Sequence, residues 1–254
     1  MTLLRGARSL LSVLLVGLWF VLGSPVLRLV VLPGAWLFPR QRFRLVSLYM
    51  KGISAGILAL LTAGGARFRR VGTLPTATPV LVVSNHQSLI DIPQIALLSR
   101  PRVPAFVSRA RYGRFVPLVS ACIRLLGSPM IDPKRDPRGA VAAIREGVRR
   151  LPHGIVIFPE GHRTSDGEIQ PFRTSGIEAV LSERRLPVYL VLNDGVWRVR
   201  RLADLLFRVH LIDAASEVIG PFEPPQQADE LPAFVQGLHD RLADRLAELR
   251  RERA

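Results

Sequence analysis

The stretch Pro79-Val80-Leu81-Val82-Val83-Ser84-Asn85-His86-Gln87-Ser88-Leu89-Ile90-Asp91-Ile92-Pro93 decides how the rest of the chain is read. Pro79 to Ser84 is a short apolar run with a proline on one side and polar residues on the other. That length and composition predict a strand buried on both faces. Asp91 and Pro93 mark the opening of a helix, where a carboxylate is favoured, and the helical pattern runs from Ile92 to Leu98. A doubly buried strand that feeds a helix implies a sheet with helices laid on its faces.

The same grammar repeats outward. Pro104 to Ser108, Ser128 to Ile131, Gly154 to Phe158, Pro187 to Leu192 and Arg208 to Ile212 read as further strands. Helical patterns lie between several of them: Phe115 to Leu125, Arg138 to Leu151 and Thr174 to Glu183. A last amphipathic helix is predicted over roughly Asp229 to Arg251, with Leu231, Phe234, Val235, Leu238, Leu242, Leu246 and Leu249 near one face. The expected fold is α/β: a central, mostly parallel or mixed sheet flanked by helices. It is preceded by an N-terminal hydrophobic helical membrane motif, with residues 1–70 forming that motif and residues 71–254 the catalytic domain.

The N-terminal motif rests on charge and hydropathy. The first 90 residues contain no Asp or Glu and carry ten cations: Arg5, Arg8, Arg28, Arg40, Arg42, Arg44, Lys51, Arg67, Arg69 and Arg70. From Ser9 to Leu27 no residue is charged, and nineteen helical residues span roughly 28 Å, close to a bilayer core. Gly52 to Ala66 is a second apolar stretch, whose fifteen residues fit a re-entrant or interfacial helix. An immersed hairpin with both ends on the cytoplasmic side accounts for cations flanking both stretches, and would put Arg40, Arg42 and Arg44 at headgroup level. A single span followed by an interfacial helix, and a buried helical pair of a soluble protein, are alternatives. A cleaved signal peptide would need a small-x-small site and a polar sequel, which do not follow. The net charge of +15 points to anionic membrane lipids rather than nucleic acid, since the cations alternate with apolar runs instead of stacking aromatics. Cys122 is the single cysteine, so no internal disulfide forms.

Two strings carry chemistry. In the first, His86 stands in a turn and Asp91 in the first turn of the following helix. The carboxylate can then accept from one imidazole nitrogen and leave the other as a base. Standing alone, this His-x-x-x-x-Asp spacing also describes a surface histidine beside a helix-start aspartate. Ser88 lacks a nucleophile elbow, and helix capping is its expected role. The second string is Phe158-Pro159-Glu160-Gly161-His162-Arg163-Thr164. Pro159 ends a strand, Gly161 permits a sharp turn, and Arg163 can hold a phosphate through parallel hydrogen bonds. Glu160 can bond an acceptor hydroxyl or fix a neighbouring loop. His162 reads as a turn residue. No His/Cys cluster has metal-ligand spacing.

Asn85-His86-x-Ser88-x-x-Asp91 together with Phe158-Pro159-Glu160-Gly161-x-Arg163-Thr164 resembles the glycerolipid acyltransferases, in particular the bacterial 1-acyl-glycerol-3-phosphate (lysophosphatidate) acyltransferases. The resemblance covers roughly residues 75 to 195. Two further blocks are present in altered form. Gly127-Ser128-Pro129-Met130-Ile131-Asp132-Pro133 has proline where the family has arginine, and Lys134 and Arg135 follow as substitutes for its phosphate contact. Pro187-Val188-Tyr189-Leu190 has leucine where the family has a second proline. Phe172-Arg173-x-x-Gly176 resembles the family's Phe-Lys-x-Gly segment, with the glycine one position later.

The resemblance implies transfer of an acyl chain from acyl-CoA or an acidic acyl-carrier protein to the hydroxyl of a lysolipid, without a cofactor. His86 and Asp91 are the catalytic pair, and Glu160, Gly161, Arg163, Lys134 and Arg135 bind substrate. The expected location is the cytoplasmic face of a bacterial inner membrane; 33 arginines against two lysines hint at a GC-rich bacterial genome. Three rivals stand beside it: an acyltransferase for another lysolipid (lyso-aminolipid or lysophospholipid), a thioesterase that activates water with the same pair, and a non-catalytic membrane-binding module.

Overall fold

The structure, a computed structural model, describes residues 2–114, 116, 118–199 and 202–253. The chain opens with a helical hairpin. Helix α1 (Thr2–Val26) passes through a π turn (Leu27–Val31) into α2 (Leu32–Leu37), and α3 (Arg42–Ala63) folds back beside them. The first helix therefore runs past Gly23 and Pro25 instead of stopping near Leu27. Pro25 lacks an N–H and disturbs the ladder, and the wide turn that follows absorbs the disturbance. Helix α3 begins ten residues before the expected Gly52. Its first half is amphipathic rather than uniformly apolar: Val46, Ser47 and Tyr49 are buried while Arg44 and Leu48 face out. Two helical stretches, Leu4–Leu37 and Pro39–Ala63, are long and apolar enough to cross a membrane.

The remaining strands are β1 (Arg67–Val71), β2 (Leu74–Pro75), β3 (Leu81–Ser84), β4 (Ser99–Arg100), β5 (Ala105–Phe106), β6 (Ser108–Arg109), β7 (Met130–Ile131), β8 (Ile155–Ile157), β9 (Val188–Asp194) and β10 (Asp213–Phe222). Between and after them lie α4 (Asp91–Leu98), α5 (Val119–Leu125), α6 (Pro137–Arg150), α7 (Thr174–Glu183), α8 (Leu202–Arg208) and α9 (Leu231–Arg251). Phe115, where the α5 pattern was expected to start, lies outside the described residues. Six strands form one mixed sheet in the order β1-β10-β9-β3-β8-β5, with β10 antiparallel to β9 and the other pairs parallel.

Alternation builds the two cores. Leu81, Val83, Ile155, Ile157, Leu190 and Leu192 point to the face covered by α6, α7 and α9. Val82, Val156 and Val191 point to the face covered by α4, where Ile95, Ala96 and Leu98 meet them. Each such side chain contributes roughly 1.5–3 kcal/mol by leaving water. The hairpin packs outside α4 and reaches α5. Buried Leu27, Val31, Val46 and Tyr49 join the main core, so the hairpin is continuous with the sheet domain.

Three expectations need correction. Arg208 to Ile212 is the end of α8 and a 3₁₀ turn, and the strand starts at Asp213. Leu205, Val209 and Ile212 are buried at helical spacing rather than in alternation. Arg67–Val71 is an edge strand that carries Arg67, Arg69 and Arg70, and charge on an edge hides it from any hydrophobic pattern. This strand runs across residues 70 and 71. Finally, Pro104 to Ser108 splits: β5 joins the main sheet, while β6 leaves it to pair with β7 in a separate ribbon.

Candidate active site

Strands β3 and β8 are parallel neighbours, with Val83 level with Ile157. His86 and Glu160 each stand three residues past that pair. Register therefore carries both strings to the carboxyl end of the sheet, where α/β folds place their sites. The two loops are stitched at a single residue. His86 N donates to Glu160 Oε1 at 2.7 Å, and His86 O accepts from Thr164 N at 2.9 Å.

The imidazole is held just as firmly. Its Nδ1 lies 2.8 Å from Asp91 Oδ2, an ionised carboxylate accepts only, and so the hydrogen sits on Nδ1 and Nε2 carries the lone pair. Oδ2 of Asp91 also accepts from Gln87 N at 2.7 Å and Ser88 N at 2.9 Å, which fixes the carboxylate before the imidazole meets it. Asp91 is fully buried, while the His86 side chain keeps 18 % of its surface exposed. The Phe158 ring stacks on His86 with centroids 4.2 Å apart, closing one face of the imidazole. The arrangement is an imidazole bonded to a buried carboxylate, with its remaining edge open.

Glu160 takes the second of its two expected roles. It is 1 % exposed, and its oxygens accept from His86 N and Gln170 N, the latter at 3.2 Å. Each oxygen is engaged by a main-chain N–H. Burial raises its carboxyl from 4.5 to about 7, with the two backbone N–H bonds pulling the other way. Gly161 adopts φ +72°, a left-handed conformation that suits glycine. Its N–H is used inside the turn, donating to Phe158 O at 3.1 Å, and its carbonyl accepts from Arg109 Nη2 at 2.6 Å. His162 donates through Nδ1 to Glu160 O at 2.8 Å, as a turn residue would.

Arg163 is half-buried beside this turn. Lys134 and Arg135 stand exposed on the turn after β7. Arg109, which the sequence reading missed, reaches the Glu160–Gly161 turn. It sits on β6 opposite Ile131, two residues before Pro133, the proline that stands where the family has arginine. Its only sequence signal was a cation near the end of the Pro104–Ser108 run. The Arg173 side chain also lies along Gly161.

Behind the loops a buried polar lattice fixes the strand ends. Asn85 pairs with the main chain of Asn193 in both directions, at 2.8 and 2.7 Å. Asn193 in turn donates to Ser84 Oγ and accepts from Ser216 Oγ. Gln87 is buried against Gly167 O, Asp194 and Val196 N. Ser88 does not cap α4: its hydroxyl donates to Val199 O at 3.2 Å, and the carboxylate of Asp91 takes the N–H groups ahead of the helix.

The Acyltransferase family model matches residues 66–191, which hold the His86 and Glu160 loops. The chain belongs to the acyltransferase family. A chloroplastic 1-acyl-sn-glycerol-3-phosphate acyltransferase of Brassica napus is 32 % identical over 131 residues, covering 50 % of this chain and 36 % of its own. A 1-acyl-sn-glycerol-3-phosphate acyltransferase of Limnanthes alba is 25 % identical over 207 residues, 80 % of this chain and 70 % of its own. The chain thus spans little more than a third of the Brassica protein's length. A lyso-ornithine lipid O-acyltransferase of Rhodobacter capsulatus is 28 % identical over 171 residues, 60 % of this chain and 59 % of its own. Among solved structures, the 1-acyl-sn-glycerophosphate acyltransferase PlsC of Thermotoga maritima superposes with a TM-score of 0.73 at 22 % identity, over 96 % of this chain and 98 % of that one. That likeness establishes the shared fold of this acyltransferase, hairpin included.

Proposed function

We propose that this acyltransferase moves a fatty acyl chain from acyl-CoA or acyl-carrier protein to the free hydroxyl of 1-acyl-glycerol-3-phosphate. The observation that carries the reading is the His86 Nδ1–Asp91 contact, with Nε2 left as the base. Nε2 takes the hydroxyl proton as the oxygen attacks the thioester carbonyl. The ester C–O bond forms, the C–S bond breaks, and the proton passes from Nε2 to the leaving thiolate. Asp91 stabilises the imidazolium in between, and general-base assistance of this kind is worth typically ~10²–10⁴ in rate. Arg163 and Arg109 flank the Gly161 turn and supply the fork that an acceptor phosphate needs. Lys134 and Arg135, exposed on the turn after β7, are the further cations assigned to that phosphate in this reading.

The N-terminal hairpin holds the enzyme on the membrane that contains both lysolipid and product, in our reading the cytoplasmic face of a bacterial inner membrane. A second acceptor, another lysolipid, is favoured by one observation: a relative is named for lyso-ornithine lipid.

The test is a panel of lysolipids, including 1-acyl-glycerol-3-phosphate, offered with labelled acyl-CoA and acyl-carrier protein to the purified chain and its His86→Ala variant. Phosphatidic acid should form, and His86→Ala should lower turnover by about 10²-fold or more while vesicle binding persists. Free fatty acid formed equally with and without acceptor would make the enzyme a thioesterase. Normal transfer by His86→Ala would remove His86 as the base.

A further inference from the structure

Helix α8 and the turn Val209–Leu211 hold no part of the chemistry above. Their inner side is explained by packing. Val199, Leu205, Val209 and Ile212 are buried together, and Val13 and Val16 of α1 pack against them. Ser9 Oγ of α1 lies 3.3 Å from His210 Nδ1. Their outer side is not explained that way. Phe207 near the end of α8 is 57 % exposed, and Leu211 in the turn that follows is 46 % exposed. On α1, which packs against α8, Leu4, Leu11, Leu14 and Leu18 are exposed as well. Large apolar side chains left exposed on two packed helices point to an interaction surface.

Charge selects the occupant. Arg198 and Arg208 are exposed at the two ends of the segment, and Arg5 and Arg8 lie on the adjoining turn of α1. An apolar strip with a cationic border fits an anionic bilayer surface, in which rings and aliphatic chains enter the acyl boundary and guanidinium groups meet phosphates.

We propose that α8 and its following turn form a second membrane contact, with Phe207 and Leu211 seated in the interfacial layer beside α1. This rests on the membrane reading of the hairpin and goes beyond it, since residues 197–211 lie far along the chain from the hairpin. It also links docking to the site. Ser88, two residues after His86, donates to the carbonyl of Val199 at the root of the same segment, so the loop that carries the base is anchored to the element that meets lipid.

The experiment uses the full chain with a polarity-sensitive fluorophore on Phe207→Cys, Cys122 being buried. Leu18→Cys reports on α1, and Asp240→Cys on α9 reports on a surface across the sheet. Each is mixed with phosphatidylglycerol–phosphatidylcholine vesicles carrying a headgroup-proximal quencher. Labels at 207 and 18 should both shift to the blue and be quenched, while the label at 240 stays water-like. A quenched label at 18 with an unquenched label at 207 overturns the proposal and leaves the hairpin reading intact. If neither is quenched, both readings fall. A blue shift at 207 that grows with protein concentration and needs no vesicles overturns the proposal in favour of a second copy of the chain. As a second measurement, Phe207→Ser with Leu211→Ser should lower vesicle affinity by about tenfold or more, and should leave turnover on detergent-dispersed lysolipid unchanged. Unaltered vesicle affinity overturns the proposal.

Discussion

Glu160 turns its carboxylate away from solvent and onto two backbone N–H groups, and this burial sets its titration. The folded chain holds the proton up to about pH 7, whereas an unfolded chain releases it near 4.5. Between those values the folded state binds more protons, so stability falls as pH rises through the window. A shift of that size is on the order of 3 kcal/mol in total. Glu160→Gln cannot titrate and leaves one N–H without its acceptor, at a cost of about 1 kcal/mol. Denaturant unfolding at several pH values should therefore show the parent losing stability relative to the variant from pH 4.5 to 7; parallel curves would contradict the burial argument. The arginines beside Gly161 make a different prediction. If Arg109 and Arg163 hold the acceptor phosphate, alanine at either position should raise the Michaelis constant for a phosphorylated lysolipid by about 10–100-fold, with a smaller change in kcat. A constant that rises equally for a lysolipid without phosphate would assign them to the loop instead.

The hairpin shows how a helix pair reaches close contact. A side-chain carbon at Gly56 would meet the indole of Trp19, whose Nε1 donates to Ile53 O at 3.2 Å; one at Gly64 would meet Ser12, and one at Gly23 would meet Ile53. Gly52 on the same helix has open space around it. Gly56→Leu should thus lower the unfolding midpoint, with a loss of about 2 kcal/mol or more from overpacking. Gly52→Ala should be neutral or raise it by up to about 1 kcal/mol, because alanine is the better helix residue. Equal effects of the two would mean that α1 and α3 do not cross closely. Sequence reveals such elements unevenly. The strand ending at Ser84 and helix α7 were legible because burial on two faces or on one stripe leaves a period. So was the pairing of His86 with Asp91, which depends only on local turn geometry. Strand β1 and helix α8 were not: an edge strand may be all charge, and a seven-residue helix is too short for periodicity to outvote a strand reading. Arg109 escaped notice because its approach to Gly161 depends on β6 leaving the main sheet for β7, which no local pattern encodes.

Across the whole molecule, charge and apolar surface are laid out together. About two-thirds of the net charge lies in the first 90 residues. Eight of these ten cations gather at the two ends of the hairpin, with Arg28 and Lys51 between them. Arg8 donates to Ala63 O where the start of α1 meets the end of α3, with Arg67, Arg69 and Arg70 just beyond, while Arg40, Arg42 and Arg44 surround the tip. Trp36, Leu37 and Phe38 are exposed at that tip. A helix of 34 residues is roughly 50 Å long, well beyond the ~30 Å hydrocarbon layer. Cations at both ends suit a hairpin lying along the interface, where each end stays among headgroups, better than one plunging tip-first into hydrocarbon, where three arginines would be desolvated. On the proposed membrane reading, such a molecule is held by two additive forces with different salt responses. Attraction to anionic lipid is worth about 1 kcal/mol per cation near the surface and fades as the screening length shrinks from ~10 Å at 0.1 M to ~3 Å at 1 M. Apolar insertion does not fade. Sedimentation with anionic vesicles should therefore show affinity falling by an order of magnitude or more over that salt range and levelling at the value measured on zwitterionic vesicles. Complete release at 1 M salt would make the contact electrostatic alone, and the exposed leucines of α1 would then require a protein partner.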